Sequence, residues 1–197
     1  MLFRSEAYTI NLDALNSTYK SYELALSRRM ANHFMYQASY SSTKSNDPYP
    51  TNNVAPSVYN PNTFINVASH GTEWVGKLSG AYQLPAGVTA SALYELRSGA
   101  YYARTAVFRG GTSIPQITLN VEPLNSNQLP SVGHLDLRFD KSFSLTKGHS
   151  FSVRTDIYNA MNSATVTGIN NRSGATFGRP TSILDARVVD IGMTYKF

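Results

Sequence analysis

From Leu135 to Leu145 the chain alternates. The odd positions read Leu135, Leu137, Phe139, Lys141, Phe143 and Leu145, and the even ones Asp136, Arg138, Asp140, Ser142 and Ser144. A period of two over such a stretch predicts a strand with one dry face and one polar face. The chain end repeats it, with Val189, Ile191, Met193, Tyr195 and Phe197 against Asp190, Gly192, Thr194 and Lys196. The same alternation sets Phe151, Val153, Thr155 and Ile157 against Ser152, Arg154, Asp156 and Tyr158. It sets Trp74, Leu78, Tyr82 and Leu84 against Lys77, Ser79 and Gln83. Residues 88–97 and 34–42 follow suit. Residues 12–30 fit a helical stripe as well as a strand, and their neighbours argue for a strand over 18–30. A further strand is predicted over 2–10, which brings the count to about eight.

The connections alternate in length. Short turns fall at Ala31-Asn32-His33, Pro85-Ala86-Gly87 and Thr146-Lys147-Gly148, and long loops at 45–71, 98–130 and 161–184. The first long loop is rich in Asn and Pro, which suits irregular chain. Within the second, 114–122 reads as a short strand. Two of the turns end in Gly, the signature of a type I turn followed by a left-handed Gly bulge.

Those turns set a register that charge can check. Closing Leu145 against His149 places Arg138 opposite Asp156 and Asp140 opposite Arg154. A slip by two in either direction brings like charges face to face, which is destabilising, whereas opposite pairs contribute roughly 0.2–1 kcal/mol each. Closing Leu84 against Val88 likewise places Lys77 opposite Glu95. The ion pairs fall on the polar face, and Phe143 beside Phe151, Leu137 beside Ile157 and Leu78 beside Tyr94 fall on the other.

Composition narrows the fold class. The chain has 197 residues and no cysteine, which excludes disulfide scaffolds and thiolate chemistry. Charged residues make up 15%, below the roughly 25% of ordinary soluble domains. The mean hydropathy is −0.26, and no apolar run approaches the length of a membrane helix. A polar average is also what a membrane β-barrel shows, because its two faces cancel. The predicted strands reach the 9–11 residues of a tilted membrane strand, against about 5–6 in typical soluble sheets. Short turns at one end and long loops at the other complete the layout. Phe34, Tyr36, Tyr82, Phe143, Phe151, Tyr195 and Phe197 sit near strand ends, as interfacial girdle residues do. The expected fold is therefore an all-β, antiparallel transmembrane barrel segment with charged residues facing its lumen. The pairs Arg138–Asp156, Asp140–Arg154 and Lys77–Glu95 would line that lumen.

With the strands placed, the chain resembles a known family. The stretches Tyr19-Lys20-Ser21-Tyr22-Glu23-Leu24, Leu78-Ser79-Gly80-Ala81-Tyr82-Gln83-Leu84-Pro85, Arg97-Ser98-Gly99-Ala100-Tyr101-Tyr102 and Leu135-Asp136-Leu137-Arg138 carry the resemblance. So do Asp156-Ile157-Tyr158-Asn159-Ala160-Met161-Asn162 and the ending Tyr195-Lys196-Phe197. Together they resemble the C-terminal part of the barrel of a TonB-dependent outer-membrane receptor, of the Oar-like type that carries a carboxypeptidase-regulatory-like domain. Tyr101 departs from the pattern, since such receptors often place Pro there. The resemblance implies a 22-stranded barrel of which residues 1–197 supply the last eight strands. The plug and the TonB box would lie in a part this sequence lacks. It implies location in the cell outer membrane and transport of a scarce nutrient. The implied partners are outer-membrane lipid and lipopolysaccharide, the barrel-assembly machinery (through Tyr195 and Phe197) and TonB through the missing N-terminal part. The start of the chain does not look like a secretory signal, so a fragment or a truncated reading frame is expected.

Two other functions compete. Eight strands can close by themselves, as an anchor or small pore. An outer-membrane hydrolase would need a Ser/His or Asp/His constellation. His33, His70, His134 and His149 show no metal or catalytic spacing and read as solvated turn residues. Asp136, Asp140 and Asp156 read as wall ions, Gly110-Gly111 as a loop point, and Asn170-Asn171-Arg172-Ser173-Gly174 as a loop tip. The expectation is no enzyme, no cofactor and no metal. Net charge is +5 with the bases dispersed, so no nucleic acid is expected. Tyr49, Tyr59, Tyr101 and Tyr102 are loop tyrosines suited either to stacking on a ligand or to facing lipopolysaccharide.

Overall fold

The computed structural model of the chain describes residues 16–48, 65–110 and 116–197. The alternating segments form β1 (Thr18–Ala31), β2 (Phe34–Asp47), β3 (Ser69–Leu84), β4 (Val88–Arg97), β9 (Val132–Ser144), β10 (Ser150–Tyr158) and β13 (Val188–Lys196). Between β4 and β9 come β5 (Tyr101–Tyr102), β6 (Thr105–Arg109), β7 (Gln116–Asn120) and β8 (Asn127–Gln128). Between β10 and β13 come β11 (Val166–Ile169) and β12 (Pro180–Ile183). The seven long strands make one antiparallel sheet in the order β1-β2-β3-β4-β9-β10-β13. The described residues hold no α-helix, so none that could cross a membrane. The ambiguous segment 18–30 is a strand; the strand expected over 2–10 lies outside the described residues.

Both registers argued from turn and charge are present. Arg138 pairs with Asp156 and Asp140 with Arg154 across β9 and β10, and Lys77 pairs with Glu95 across β3 and β4. The three short turns differ from one another in geometry. The first is confined to Asn32 and His33, at φ 52° and 68°. Two successive left-handed residues make a tight hairpin that follows the sheet's twist. A one-residue bulge between Arg28 and Ala31 absorbs the difference. At Pro85-Ala86-Gly87 both Ala86 (φ 67°) and Gly87 (φ 73°) are left-handed, so this is not a type I turn with a single Gly bulge. At Thr146-Lys147-Gly148, Gly148 has φ 83°, and Leu145 donates to the His149 carbonyl at 2.8 Å.

The described parts of the second and third loops hold more regular structure than their composition predicts. In the second, β6 and β7 form a hairpin and β5 pairs with β8 below it; the strand expected over 114–122 is β7. The third holds the β11–β12 hairpin. The two loops are bonded together. Thr105 donates to the Asn171 carbonyl at 2.9 Å and accepts from the Ser173 amide at 2.7 Å, and the Arg104 guanidinium lies 4.7 Å over the Phe177 ring.

Among the described residues none covers the broad apolar face of the sheet. Ala103 and Val132 are the only buried apolar residues described; Val132 opens β9, and Ala103 lies where the second loop meets the third, its carbonyl accepting from the Asn171 side chain at 3.1 Å. On the broad apolar face Leu24 is 71% exposed and Met193 70%.

Ala86 carries a Cβ in a conformation that disfavours one, at a cost of about 1 kcal/mol. Ala86→Gly is expected to raise the unfolding free energy by about that much. Gly148→Ala, where a Cβ meets open space but φ is 83°, is expected to lower it by about 1 kcal/mol. Urea titration of the refolded chain reads both.

Candidate functional site

The two faces of the sheet differ in charge as well as in polarity. The paired registers place Glu23, Asp47, Glu73, Glu95, Asp136, Asp140, Asp156 and Asp190 all on one face. These are all the acids in the seven long strands. The opposite face carries Tyr22, Leu24, Leu26, Leu78, Leu137 and Ile191, and its charged residues are bases near the strand ends. Lys20 and Lys44 lie at the long-loop end, and Arg28 and Lys141 toward the short turns. The last two lie over aromatic rings, Arg28 at 3.9 Å from the Phe34 centroid and Lys141 at 5.0 Å from that of Phe143.

The aromatic residues expected near strand ends gather on this apolar face, toward the short turns. Phe34 and Tyr36 stack at 6.3 Å, and Phe143 and Phe151 at 6.2 Å. Tyr195 is the register partner of Phe151; its ring lies 5.8 Å from that of His149 and its hydroxyl 3.1 Å from His149 Nδ1. Phe197 ends the chain 97% exposed.

On the polar face the ions form a chain centred on Asp156, which is 3% exposed. Arg138 Nε donates to Asp156 Oδ1 at 2.5 Å. Arg154 Nε forms an ion pair with Asp156 Oδ2 at 2.9 Å. The Arg154 guanidinium reaches on to Asp190 at 3.7 Å. Asp156 and Asp190 face each other in register, and Arg154 bridges these two like charges. Arg154 therefore turns toward β13, although Asp140 is its register partner on β9. Gly192 opposite Arg154 leaves room for that turn; a Cβ there would meet the guanidinium at 3.2 Å. Lys77 and Glu95 close a separate pair at 3.1 Å.

One residue of the Asp156–Asn162 stretch has a structural role that the sequence pattern did not indicate. Asn159 (φ 48°) is 6% exposed. Its side-chain amide donates to the carbonyls of Ser163 at 2.9 Å and Asp185 at 2.7 Å, and its Oδ1 accepts from the Ser163 amide at 3.0 Å. Its own backbone amide donates to Asp136 at 2.9 Å. Asn162 (φ 51°) accepts from the Arg187 amide at 3.1 Å. The stretch Asp156–Asn162 is thus a clamp joining the ends of β9, β10 and β13. Asn is suited to it by tolerating left-handed backbone while bonding locally.

A recess of about 580 Å³ opens on the polar face at the long-loop end, lined by Tyr19, Thr43, Glu73, Arg97, Val132 and Thr167 among others. Above it Tyr101 is fixed: its hydroxyl accepts from the Thr72 amide at 2.8 Å and donates to the Thr72 carbonyl at 3.1 Å, and its ring lies against Gly71. Gly99 is pressed so closely on Leu129 and Pro130 that no side chain fits there.

The histidines are dispersed. His33 is in a turn, His70 near the start of β3, and His149 against Tyr195. His134 Nε2 lies 3.9 Å from Asp136 Oδ2, a same-face i, i+2 pair that strand periodicity makes legible. No metal-binding cluster occurs among the described residues. Tyr49, Tyr59 and Gly111 lie outside them. Set beside known proteins, the chain matches no family model, no curated protein and no solved structure.

Asp156→Asn leaves the Arg138 and Arg154 guanidiniums facing one another without their shared anion. It is expected to lower the urea midpoint at least twice as far as Glu95→Gln, which breaks an exposed pair. Asn159→Ala deletes three side-chain hydrogen bonds at a strained position, an expected loss of about 2–4 kcal/mol. Asn159→Asp, which sets an anion against two carbonyls, is expected to do no better in the same titration.

Proposed function

We propose that this chain is the C-terminal part of the barrel of a TonB-dependent outer-membrane receptor of the Oar-like type, one that takes up a scarce nutrient. The observation that carries the reading is the uncovered, acid-free apolar face, backed by an ion-paired polar face on the same strands. In water such a face is a large liability. Against hydrocarbon it is the surface required, with the acids turned toward a wet lumen. Strand lengths support it: the seven long strands run from 9 to 16 residues, and about 9–11 suffice to cross a bilayer at a tilt. Bases at both ends of the apolar face suit the headgroup regions, where Lys and Arg side chains extend out of hydrocarbon.

The edges favour a larger barrel over a self-contained one. β1 and β13 stand at opposite edges of the sheet, and hydrocarbon does not tolerate open edges. Further strands, covering both, would supply the partners. The plug and TonB box of such a receptor would belong to that further chain. In this reading the long loops face outward and the recess beside Tyr101 forms part of the ligand mouth. The exposed ending Tyr195-Lys196-Phe197 is then what the barrel-assembly machinery binds.

An antibody raised against residues 45–71 tests this on outer-membrane fractions of the source cell. The expected result is a band several times larger than the 21.7 kDa of this chain. A band at 21.7 kDa in that fraction would replace the receptor by a small self-contained barrel, and absence from the membrane would overturn both.

A further inference from the structure

Lys20 and Lys44 are direct register partners on β1 and β2. Both are exposed, on the apolar face, at its long-loop end. Directly opposed residues in an antiparallel pair stand about 5 Å apart, and like charges there repel. A fold that has eight acids to place in its long strands sets none beside this pair. The ion pairs described in the sheet lie on the other face. The connection that follows β2 does not help either, since residues 48–69 include no Asp, Glu, Lys or Arg. The second basic pair on this face differs, because Arg28 and Lys141 each lie over a phenylalanine ring.

The two lysines line a shallow recess of about 450 Å³ with Thr18, Asn46 and His70. These add a hydroxyl, an amide and an imidazole to two ammonium groups, a donor set for an oxyanion. Toward the middle of the sheet the same face continues through Tyr22 and Leu24 to Tyr40 and Trp74, whose rings stack at 6.4 Å. An ionic recess thus passes without a break into an apolar wall. The matching occupant is an amphiphile with a phosphate at its head and acyl chains below.

We infer that Lys20 and Lys44, with His70 and Asn46, form a binding site for the phosphate headgroup of a phosphorylated lipid in the surrounding leaflet, its acyl chains lying along Tyr22, Leu24 and Trp74. The inference rests on the membrane reading of the preceding subsection. The lipid phosphate supplies the counter-charge that the sheet withholds, and it relieves the repulsion between the lysines. Binding should therefore tighten the β1–β2 hairpin.

The test is native mass spectrometry of the protein extracted in mild detergent from outer membranes, with diphosphorylated lipid A as the probe. Dephosphorylated lipid A and inorganic phosphate serve as comparators. Lys20→Gln/Lys44→Gln is expected to weaken retention of the diphosphorylated lipid about tenfold or more. Lys20→Arg/Lys44→Arg is expected to keep it, as is Arg28→Gln/Lys141→Gln. Removal of the lipid phosphates should weaken wild-type retention to the level of the glutamine variant. Equal retention by the Lys20→Gln/Lys44→Gln protein overturns the site. Equal loss in both glutamine variants overturns it in favour of unspecific charge. Displacement of the lipid by millimolar inorganic phosphate overturns the lipid in favour of a free anion. A protein that never reaches the outer membrane fails the receptor reading first, and this site with it. A protein that does reach it, yet holds lipid without the lysines, fails this inference alone.

Discussion

Successive side chains of a strand point to opposite sides, so a slip of one residue between neighbouring strands exchanges their faces. In this sheet such a slip would carry acids onto a face that otherwise has none. The register is therefore the constraint on which the rest depends. It is held by turn geometry at the short end and by charge along the polar face. Arg138, Asp156, Arg154 and Asp190 link three adjacent strands, and the two contacts that cross strands, Arg138–Asp156 and Arg154–Asp190, require the neighbouring register to be the one observed. The apolar face adds little discrimination by itself, because dispersion contacts between exposed aliphatic side chains tolerate a slip of two. Ion pairs do not.

The long-loop end is held by different means. There the chain uses backbone and amide bonds among residues distant in sequence, with Asn159, Tyr101 and Gly99 at the crossing points. Asn159 ties β10 to β9 and to the chain approaching β13; Tyr101 ties the second loop to the start of β3. This is also where the two buried apolar residues, Ala103 and Val132, are found. The described parts of the second and third loops form a hydrogen-bonded cap at one end of the sheet, and the recess lined by Glu73 and Arg97 lies beneath it.

Much of this was legible in the sequence, for a physical reason. Alternation is local, so the strand faces could be read directly, and hairpin register follows from a three-residue turn plus charge. The pairs Arg138–Asp156 and Lys77–Glu95 needed nothing more. What was not legible depends on a third partner. Arg154 leaves its β9 neighbour Asp140 for Asp156 and Asp190, because Gly192 on β13 makes space, and no turn links β13 to β10 closely enough to set that register in advance. The double left-handed turn at Ala86-Gly87 was hidden because Ala carries no sign of positive φ. Asn159 stood in a stretch that carried the resemblance, but its clamp depends on carbonyls at Ser163 and Asp185 that only the fold brings to it.

The asymmetry of charge between the faces sharpens the physical argument beyond hydropathy. A soluble sandwich also alternates apolar and polar residues, and burying its apolar face would require a second layer. Such a layer gains nothing from bases without acids on the surface it covers; isolated ammonium groups against protein are costly unless paired. An anionic lipid surface reverses that preference. It disfavours carboxylates and favours Lys and Arg at the level of the headgroups, with aromatic rings beside them. Lys20 and Lys44 at one end and Arg28 and Lys141 toward the other follow that rule on β1, β2 and β9, and the absence of acids from this face holds on every long strand. The distribution of charge thus adds to the alternation a second, independent argument for the membrane reading proposed above, made with residues whose positions the register sets.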